Sequence, residues 1–474
     1  MILEDFLKNN YGYNDDVKAE WKKYVDTWRS WYQGKVKAFH NYTVYNGKRR
    51  IKMTRLSMQM AKKCCEDWAD LLFNEKCTIS ISDQESQSEL NEILYKNDFW
   101  RFMNENIEKS GASGTGAVVV SVKDMGISDT RLDVSNSEVI LEYVDCPQIY
   151  PLTWSGRKIT ECAFASAQFE RGIKKVYLSV HRLNENGNYI IENRTFKDSN
   201  GSLTEIENDG VLSFFDTGSP APWFAVLSPQ QANNIKPEFP WGISYFANAI
   251  DTLQALDLAF DSLSFEINTS RRRTYVKQEA VNVTLNNGEM VATFDPNDVS
   301  VYVLPEGVDG KDLIQTESNE IRSASLCETI SKDLAIFSSQ VGFGSDRYKF
   351  DAPSMATATQ VISQNSEMFR RKKKHETGLE SAIYDIIIAI CHAATDFGRY
   401  NINPEGLTIT FDDSVIEDKN AISDRALREL SAGVISKAEY RQRIFGEDKE
   451  TSESKIEYIK ENDPDIQTLM GFRE

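Results

Sequence analysis

The sequence predicts an α+β protein in which runs of strands and long helices occupy separate stretches of the chain. Residues 355–400 contain no proline, and from residue 379 their apolar side chains recur every three or four positions, as on one face of a helix. Residues 117–227 contain short apolar runs separated by Asn-Gly, Ser-Gly and Asp-Gly turns, the pattern of an antiparallel sheet. Two further helical stretches flank a small strand-rich segment at 280–304.

The long helix at 355–400 is expected to change character near Gly378. The half before it is polar and contains the basic run 370–374, whereas the half after it is apolar. This contrast predicts a bend at Gly378, with a solvated arm before it and a buried arm after it. The apolar run 386–390 is too short to cross a bilayer, so we interpret this helix as part of the core.

The composition limits the class of protein. A chain of 474 residues exceeds what one hydrophobic core usually serves and predicts two or more domains. The net charge of −18 predicts a soluble surface and argues against a protein that coats nucleic acid by neutralising phosphates, although it allows contact at a few basic spots. Seven scattered cysteines and the absence of a signal-peptide pattern predict a reducing cytosol.

Several elements can be predicted in chain order. Residues 14–33 form a helix with a broad aromatic face, which docks either onto the protein's own core or onto a neighbouring subunit. The glycine-rich loop 111–116 follows a helix, precedes a strand and lacks the lysine of a phosphate-binding loop, so we interpret it as a helix end and a turn. His181 lies in a strand with no nearby Cys or His, which disfavours a metal site. The other predicted helices cover 56–74, 87–110, 243–270, 316–341, 418–430, 436–446 and 455–460, and a strand at 407–411 returns to the sheet.

This order of elements resembles that of the portal proteins of tailed bacteriophages, and most closely those of siphophages infecting Gram-positive hosts. The resemblance covers nearly the whole chain and depends on several segments together. They are the helix after Pro240-Trp-Gly-Ile-Ser244, the basic Arg271-Arg-Arg-Thr-Tyr-Val276, the glycine-rich loop from Gly342, Met355-Ala-Thr-Ala-Thr-Gln-Val361 and the C-terminal Gly433-Val-Ile-Ser-Lys-Ala-Glu-Tyr440.

The resemblance implies a portal fold with an α/β wing, a two-helix stem, a small β-rich clip, a long bent helix and a short helical crown. The implied boundaries are 1–240 for the wing with a returning strand at 404–417, 241–272 and 314–341 for the stem, 273–313 for the clip, 342–354 for a tunnel loop, 355–400 for the long helix and 418–474 for the crown.

The resemblance also implies a function without catalysis or cofactor. The protein is expected to form a ring of about twelve subunits at one capsid vertex of the virion, assembled in the host cytoplasm. The ring is the conduit for DNA packaging and ejection. Its expected partners are double-stranded DNA bound without sequence preference, the terminase large subunit, a head-completion adaptor, and the major capsid and scaffolding proteins, with no membrane. The negative charge of each subunit keeps DNA from adhering to the channel.

The candidate DNA-facing residues lie in the tunnel loop and are Arg347, Tyr348 and Lys349, with a solvated surface turn as the alternative. A second group is expected to contact either DNA or a neighbouring subunit, and consists of Arg271, Arg272, Arg273 and Lys277 after the first stem helix and Arg370, Arg371 and Lys372 in the long helix. For the long-helix residues an ordinary solvated face is the alternative. Gly342 and Gly344 suggest that the loop moves during translocation.

Two other classes of protein remain as alternatives. A metal-dependent nucleic-acid-processing enzyme needs clustered carboxylates, and Asp412 and Asp413 after a strand are the nearest candidates. The four histidines occur in no catalytic motif. A cytosolic scaffold that self-associates without DNA is the third hypothesis.

Overall fold

The computed structural model describes residues 2–45, 47–74, 77–128, 131–199, 201–208, 211–270, 273–277, 284–286, 289–291, 301–304, 314–317, 321–348, 358–411 and 419–462. Helices and antiparallel sheets occupy separate stretches of these residues, which confirms the α+β class. The predicted site residues Arg271, Arg272 and Lys349, most of the segment predicted as a clip, and the Asp412-Asp413 pair lie outside the described residues.

The α-helices flank the sheet region on both sides in the sequence. They are α1 (Leu3–Tyr11), α2 (Asp15–Tyr32), α3 (Lys37–His40), α4 (Met60–Leu72), α5 (Gln84–Lys96), α6 (Phe99–Ser113), α7 (Ile250–Thr269), α8 (Ser323–Gln340), α9 (Ala358–Asp396), α10 (Lys419–Ser431), α11 (Lys437–Phe445) and α12 (Lys449–Asn462).

The strands are concentrated between α6 and α7, with a second group between α7 and α8. They are β1 (Asn41–Tyr45), β2 (Arg50–Thr54), β3 (Thr78–Ser80), β4 (Gly116–Lys123), β5 (Gly126–Ser128), β6 (Arg131–Asp133), β7 (Glu138–Asp145), β8 (Ile149–Ser155), β9 (Lys158–Glu170), β10 (Ile173–Leu183), β11 (Tyr189–Ser199), β12 (Ser202–Ile206), β13 (Phe214–Asp216), β14 (Phe224–Leu227), β15 (Arg273–Lys277), β16 (Thr284–Asn286), β17 (Glu289–Val291), β18 (Val301–Leu304), β19 (Ile314–Glu317) and β20 (Thr408–Thr410).

Two antiparallel sheets form the middle of the chain, as the sequence predicts. One has the order β14-β4-β7, and the other has the order β12-β11-β10-β9-β8 with β13 paired to β11. β4 is the central strand of the first sheet, and its residues from Gly116 to Val122 are buried on both faces. Apolar side chains of the two sheets meet in a cluster that contains Phe164 and Phe224.

Helix α9 is the core helix on which the first sheet packs. Ile383, Ile386, Ile387 and Ile390 are fully buried in the largest hydrophobic cluster of the protein, together with side chains of β4 and α4. By length and composition residues 366–396 are apolar enough to cross a membrane, but this burial is that of a core helix, as predicted. The helix is continuous through Gly378, where an added Cβ would lie 2.0 Å from the Gln230 amide nitrogen, so the glycine admits a close neighbour.

The glycine-rich loop after α6 joins two backbones closely. Gly114 caps α6 with φ 84°, and a Cβ placed on it would lie 2.3 Å from the carbonyl oxygen of Gly242. A Cβ on Gly111 would overlap the ring of Tyr245. These glycines let the chain before α7 pack against the end of α6, so the interpretation as a helix end and turn is confirmed.

The aromatic face of α2 packs against the protein's own core. Trp21, Trp28 and Trp31 expose at most 3% of their surface, and the Trp21 ring stacks on Trp241 with centroids 6.1 Å apart. The first of the two predicted docking modes is therefore the one observed for these tryptophans.

Helices α7 and α8 form an antiparallel pair joined by the small strand module. Thr252, near the start of α7, donates to Gln340 at the end of α8, while at the other end Arg322 binds the carboxylate of Glu266. In the module β15 pairs with β18 in parallel and with β19 antiparallel. The predicted Asn-Gly hairpin is confirmed, since β16 and β17 pair in the register Asn286↔Glu289.

Some predicted boundaries are wrong for identifiable reasons. The helix predicted at 87–110 is two helices, α5 and α6, because Asp98 takes φ 47° between them. The helix predicted to begin at residue 243 begins at Ile250. The apolar residues before Ile250 are buried against α6, but their backbone is not α-helical. The helix predicted from 316 begins at Ser323, because residues 314–317 are strand β19.

The returning strand was expected in the large sheet but pairs elsewhere. β20 is antiparallel to β3, with Ile409 opposite Ile79. The C-terminal region follows its local signals. α11 begins with the predicted capping box, in which Ser436 and Glu439 exchange hydrogen bonds, and ends at Gly446 with φ 64°.

Candidate nucleic-acid interface

The turn that follows α8 and opens the predicted tunnel loop is fixed to α4. Gly342 and Gly344 have φ 93° and 79°, which turns the chain so that the intervening Phe343 points inward. The Phe343 ring is 1% exposed and stacks on Trp68 with centroids 4.4 Å apart. The Trp68 indole N–H donates to the carbonyl of Val341 over 3.1 Å. The two glycines therefore shape an anchored turn, and any motion of residues 341–344 would require Phe343 to leave the core.

Arg347 is the predicted loop residue that presents charge to solvent. Its side chain is 47% exposed, and one guanidinium nitrogen lies 3.4 Å from Oδ1 of Asp67. The Asp67 carboxylate is almost buried and also binds Lys63 at 2.9 Å. The guanidinium carbon lies 5.7 Å from the centre of the Phe343 ring. Arg347 is thus positioned by α4 and by the anchored turn while one side remains open.

Tyr348, also predicted to face DNA, packs inward in this chain. Its ring lies 6.1 Å from that of Phe337 and 5.8 Å from that of Phe343, measured between centroids. Burial is the main cause that raises the pKa of its hydroxyl above the ordinary value. The side chain contributes to the anchor of the turn, and a contact between Tyr348 and DNA would require the ring to leave this packing.

The basic run of α9 is divided by burial. Arg370 is exposed, and the aliphatic part of Arg371 lies over the turn, 3.2 Å from the position of a Cβ on Gly342. Lys372 is 1% exposed and its ammonium lies 2.6 Å from the carboxylate of Glu376, which is itself buried. One turn of helix therefore presents one cation to solvent, one to the turn and one to the interior.

The cations after α7 lie at the opposite end of the α7–α8 pair. Arg273 and Lys277 are half-buried in β15, and the Arg273 guanidinium donates to the carbonyl of Thr269 over 3.4 Å. α7 has 20 residues, so this group is roughly 30 Å from the anchored turn along the helix axis. The structure thus brings Arg347 and Arg371 together and keeps Arg273 and Lys277 apart from them.

His375 connects α9 to the chain after β14. Its Nδ1 accepts a hydrogen bond of 3.0 Å from the Gln230 backbone N–H, and its ring meets those of Trp68 and Tyr245 edge-on. Burial, with a smaller contribution from Arg371 and Lys374, lowers the pKa of His375 from 6.5 to about 3. The imidazole is therefore neutral in the folded protein at neutral pH.

We expect the stability of the protein to fall as the pH drops from about 6.5 towards 3. The unfolded chain takes up a proton on His375 near pH 6.5, whereas the folded chain resists it until about pH 3, so the stabilisation is present above 6.5 and is lost on acidification. His375→Asn should reduce the slope of the unfolding free energy by about 1.4 kcal/mol per pH unit in this range. Denaturant unfolding at a series of pH values measures the slope.

A second buried histidine offers an internal comparison. His181 is fully buried in β10, and burial lowers its pKa to about 3 as well. His181→Asn should reduce the slope by a similar amount, and the double variant by about twice as much, because the sites lie in different clusters. Unchanged slopes in both single variants would show that these histidines are not protonated on unfolding.

The residues that position the predicted cations were not identified from the sequence. Asp67 and Trp68 on α4 hold Arg347 and Phe343, and the only local signal for Asp67 was a carboxylate on the apolar face of an amphipathic helix. Within the described ranges no three His, Cys, Asp or Glu side chains lie close enough together to share a metal ion. Arg347 and Arg371 hold positive charge at fixed positions beside the turn. Such a site can bind an anion electrostatically.

The family of the chain follows from its sequence as a whole. Residues 13–468 match the family described as phage portal protein, SPP1 Gp6-like, and the chain belongs to this family. A search among curated proteins finds no match.

Membership of this family defines the general role of the protein. It is a phage portal protein, a structural component that forms a homo-oligomeric ring at a vertex of the virion capsid. The capsid and the terminase are its partners, and its role belongs to DNA packaging.

Proposed function

We propose that about twelve copies of this chain enclose a channel through which double-stranded DNA enters and leaves the head, and that the ring binds DNA without sequence preference. The observation that supports this most directly is the antiparallel α7–α8 pair. Arg347, together with Arg371 of α9, lies at the turn at one end of the pair, and Arg273 and Lys277 lie at the other end. Two spaced groups of cations in a chain of net charge −18 suit a conduit that touches DNA at few places.

The division into portal domains is part of the proposal. We assign the wing to 1–240 with the returning strand 404–417, the stem to 241–272 and 314–341, the clip to 273–313, the tunnel loop to 342–354, the long helix to 355–400 and the crown to 418–474. Pairing of β20 with β3 supports the assignment of the returning strand to the same body as the N-terminal helices. The bend at Gly378 remains a prediction.

Arg347 is the residue on which we place the contact with DNA. Its guanidinium is half exposed, and an exposed arginine can contact phosphate oxygens without reading bases. Arg370, two residues before the buried Lys372, is exposed and provides a second candidate. We also propose a contact with DNA for Tyr348 and Lys349. For three further residues we propose a contact with DNA or with a neighbouring subunit: Arg271, Arg272 and Lys372.

The finer partners follow from the same assignment. We propose that the strand module between α7 and α8 meets the terminase large subunit during packaging and the head-completion adaptor afterwards. Among the described residues β18 and β19 are the edge strands of its sheet, and we propose that they suit strand addition between subunits. The major capsid and scaffolding proteins contact the ring during assembly in the host cytoplasm. We assign no catalytic activity and no cofactor to the chain.

The ring itself is tested by the mass and shape of the purified protein. Light scattering should give the mass of about twelve chains of 53.9 kDa, and negative-stain images should show rings with a central hole. A compact monomer under conditions in which scaffolding protein is supplied would contradict the proposed ring. Cleavage of DNA by that monomer would favour the enzyme alternative.

Arg347→Gln is expected to reduce the number of DNA-filled heads several-fold while rings still form. The amide keeps most of the side-chain volume but removes the charge available to phosphate. Arg425→Gln on α10 is the matched control, because Arg425 is 84% exposed and lies outside the proposed channel contacts. Equal numbers of DNA-filled heads for the two variants would contradict the proposed contact between Arg347 and DNA.

A further inference from the structure

One segment of the chain is strongly basic, although the chain as a whole is acidic. Residues 27–65 contain ten Lys and Arg and no Asp or Glu, although the whole chain carries 72 acidic residues and a net charge of −18. Much of this segment forms the β1–β2 hairpin and the residues that lead into and out of it. Such a concentration of one charge indicates a surface made for an anionic partner.

The hairpin stands apart from the other sheets. Among the described strands β1 and β2 pair only with each other, in the register Tyr45↔Arg50 and Thr43↔Lys52. These four residues share one face and are all exposed, Tyr45 by 64%. A two-stranded sheet is marginal in water by itself, so an exposed aromatic side chain between cations at its tip indicates a contact that the single chain does not complete.

The base of the hairpin is held rigidly. His40 Nε2 lies 3.0 Å from Oδ2 of Asp257 on α7, and both side chains are 5% exposed. The other oxygen of Asp257 accepts a hydrogen bond of 2.7 Å from the Met58 N–H, and Asp261 accepts one of 3.1 Å from the Leu56 N–H. α7 therefore anchors the chain on both sides of the hairpin and fixes the direction in which the tip projects.

A cleft with the complementary character lies at the other end of α2. Its volume is about 340 Å³, enough for the tip of a hairpin, and apolar and acidic side chains line it. Ile2, which is 57% exposed, supplies apolar surface, and Trp21, Val25 and Trp241, each at most 3% exposed, lie beneath it. Glu4, Asp5, Asp15 and Asp26 supply carboxylates.

Two lysines also line this cleft. Lys22 lies at its edge, while the Lys18 ammonium is engaged within the subunit. It donates to the carbonyl of Pro147 over 2.7 Å and lies 3.0 Å from the centre of the Tyr150 ring. The carboxylates therefore outnumber the lysines, and one of the two lysines is already bound inside the chain.

The tip and the cleft are distinct surfaces of one subunit. The cleft includes the first residues of α2, and the hairpin follows the end of this 18-residue helix, which is roughly 27 Å long. Two different complementary surfaces make a head-to-tail contact when they join neighbouring copies, and such contacts form a ring when the rotation between copies closes.

We propose that the β1–β2 tip of one subunit docks into the acidic cleft beside α2 of the next, with Tyr45 against the apolar side chains and Arg50 and Lys52 near the carboxylates. This rests on the proposed ring and adds the contact that orders its subunits. A second copy fits better than DNA, since the cleft offers an apolar surface for Tyr45 together with negative charge, and phosphate offers only the charge.

Charge reversal on each surface tests the contact. Arg50→Glu with Lys52→Glu should lower the fraction of protein in rings by about tenfold or more, and Asp5→Lys with Asp15→Lys should do the same. The combination of all four changes should restore rings, because the charges are exchanged. The matched control, Lys174→Glu with Lys197→Glu on β10 and β11, should assemble as the unmodified protein does.

The readouts are light scattering and negative-stain imaging, with thermal unfolding to show that every variant folds. Rings formed normally by both reversed variants would overturn the docking. So would failure of the combined variant to recover while it remains folded. Normal rings that have lost affinity for DNA in the Arg50→Glu, Lys52→Glu variant would identify the hairpin as a nucleic-acid surface instead.

A disulfide test separates the docking from the ring. Tyr45→Cys and Ala19→Cys are made in separate proteins, each with the exposed Cys327 changed to serine, and the two are mixed under mild oxidation. A dimer that links the two variants supports the docking even if no ring is seen. Rings without this crosslink would refute the docking and leave the proposed ring intact.

Discussion

Glu376→Met is expected to lower the free energy of unfolding by about 3–5 kcal/mol. The Glu376 carboxylate lies 2.6 Å from the Lys372 ammonium, and the two side chains are 2% and 1% exposed. Lys373 reaches the same carboxylate over 3.3 Å from the solvent side. Removal of the carboxylate takes an opposite charge away from the buried Lys372 ammonium, and this makes burial of the ammonium more costly.

The double variant Lys372→Met, Glu376→Met should recover most of this loss, since two methionines fill a similar volume without burying charge. The control is Glu328→Met, which removes the same type of i,i+4 partner from Lys332 on α8, where both side chains are about two-thirds exposed. That change should cost less than about 0.5 kcal/mol. Urea unfolding measures all three. An effect of Glu376→Met no larger than that of the control would contradict a buried pair.

The same double variant bears on a predicted site residue. Lys372 was expected to contact DNA or a neighbouring subunit, and the structure gives it a buried carboxylate partner. If Lys372→Met, Glu376→Met folds and packages DNA normally, the ammonium is not needed at the channel. If the double variant is stable but fails to package DNA, Lys372 is needed for a contact with DNA or with a neighbouring subunit.

Phe343→Ala should cost about 3–5 kcal/mol of stability, the range for truncation of a buried aromatic ring. The ring stacks on Trp68 and contacts Tyr348, so its removal leaves a cavity between α4, α8 and the turn. Phe169→Ala is the control, because Phe169 is 75% exposed and should change stability by less than about 0.5 kcal/mol. Thermal or denaturant unfolding compares the two variants.

Protease digestion distinguishes a local effect of Phe343→Ala from a global one. Without the ring the turn at 341–348 loses its attachment to α4, so cleavage in this turn should appear before cleavage elsewhere. Stability and digestion unchanged from the unmodified protein would show that the turn is held by other contacts.

Local signals in the sequence predict elements well when the element depends on its own residues. The stripe of α9, the capping box at Ser436 and the Asn-Gly hairpin were predicted because side-chain spacing and turn chemistry decide them. The break at Asp98 was missed since the apolar pattern continues across it. The pairing of Ile409 with Ile79 joins segments more than 300 residues apart, and no local pattern encodes such a pairing.

The same distinction holds for the candidate site. The side chain of Arg347 is half exposed and its contact with DNA stays a prediction. The inward packing of Tyr348 depends on Phe337 and on a turn fixed by Trp68 of a distant helix. In a run of five cations the sequence does not indicate which one turns inward. The carboxylate of Glu376 four residues after Lys372 was the available signal.

The attachment of Arg347 determines how the turn responds to a mechanical load. Its guanidinium is tied to Asp67, which belongs to α4, and Phe343 ties the neighbouring backbone to the same helix. Tension applied at the guanidinium is therefore transmitted to the packed interior through side chains, and the two glycines of the turn carry little of it. At the DNA contact proposed for Arg347, this attachment would make the side chain a stiff one.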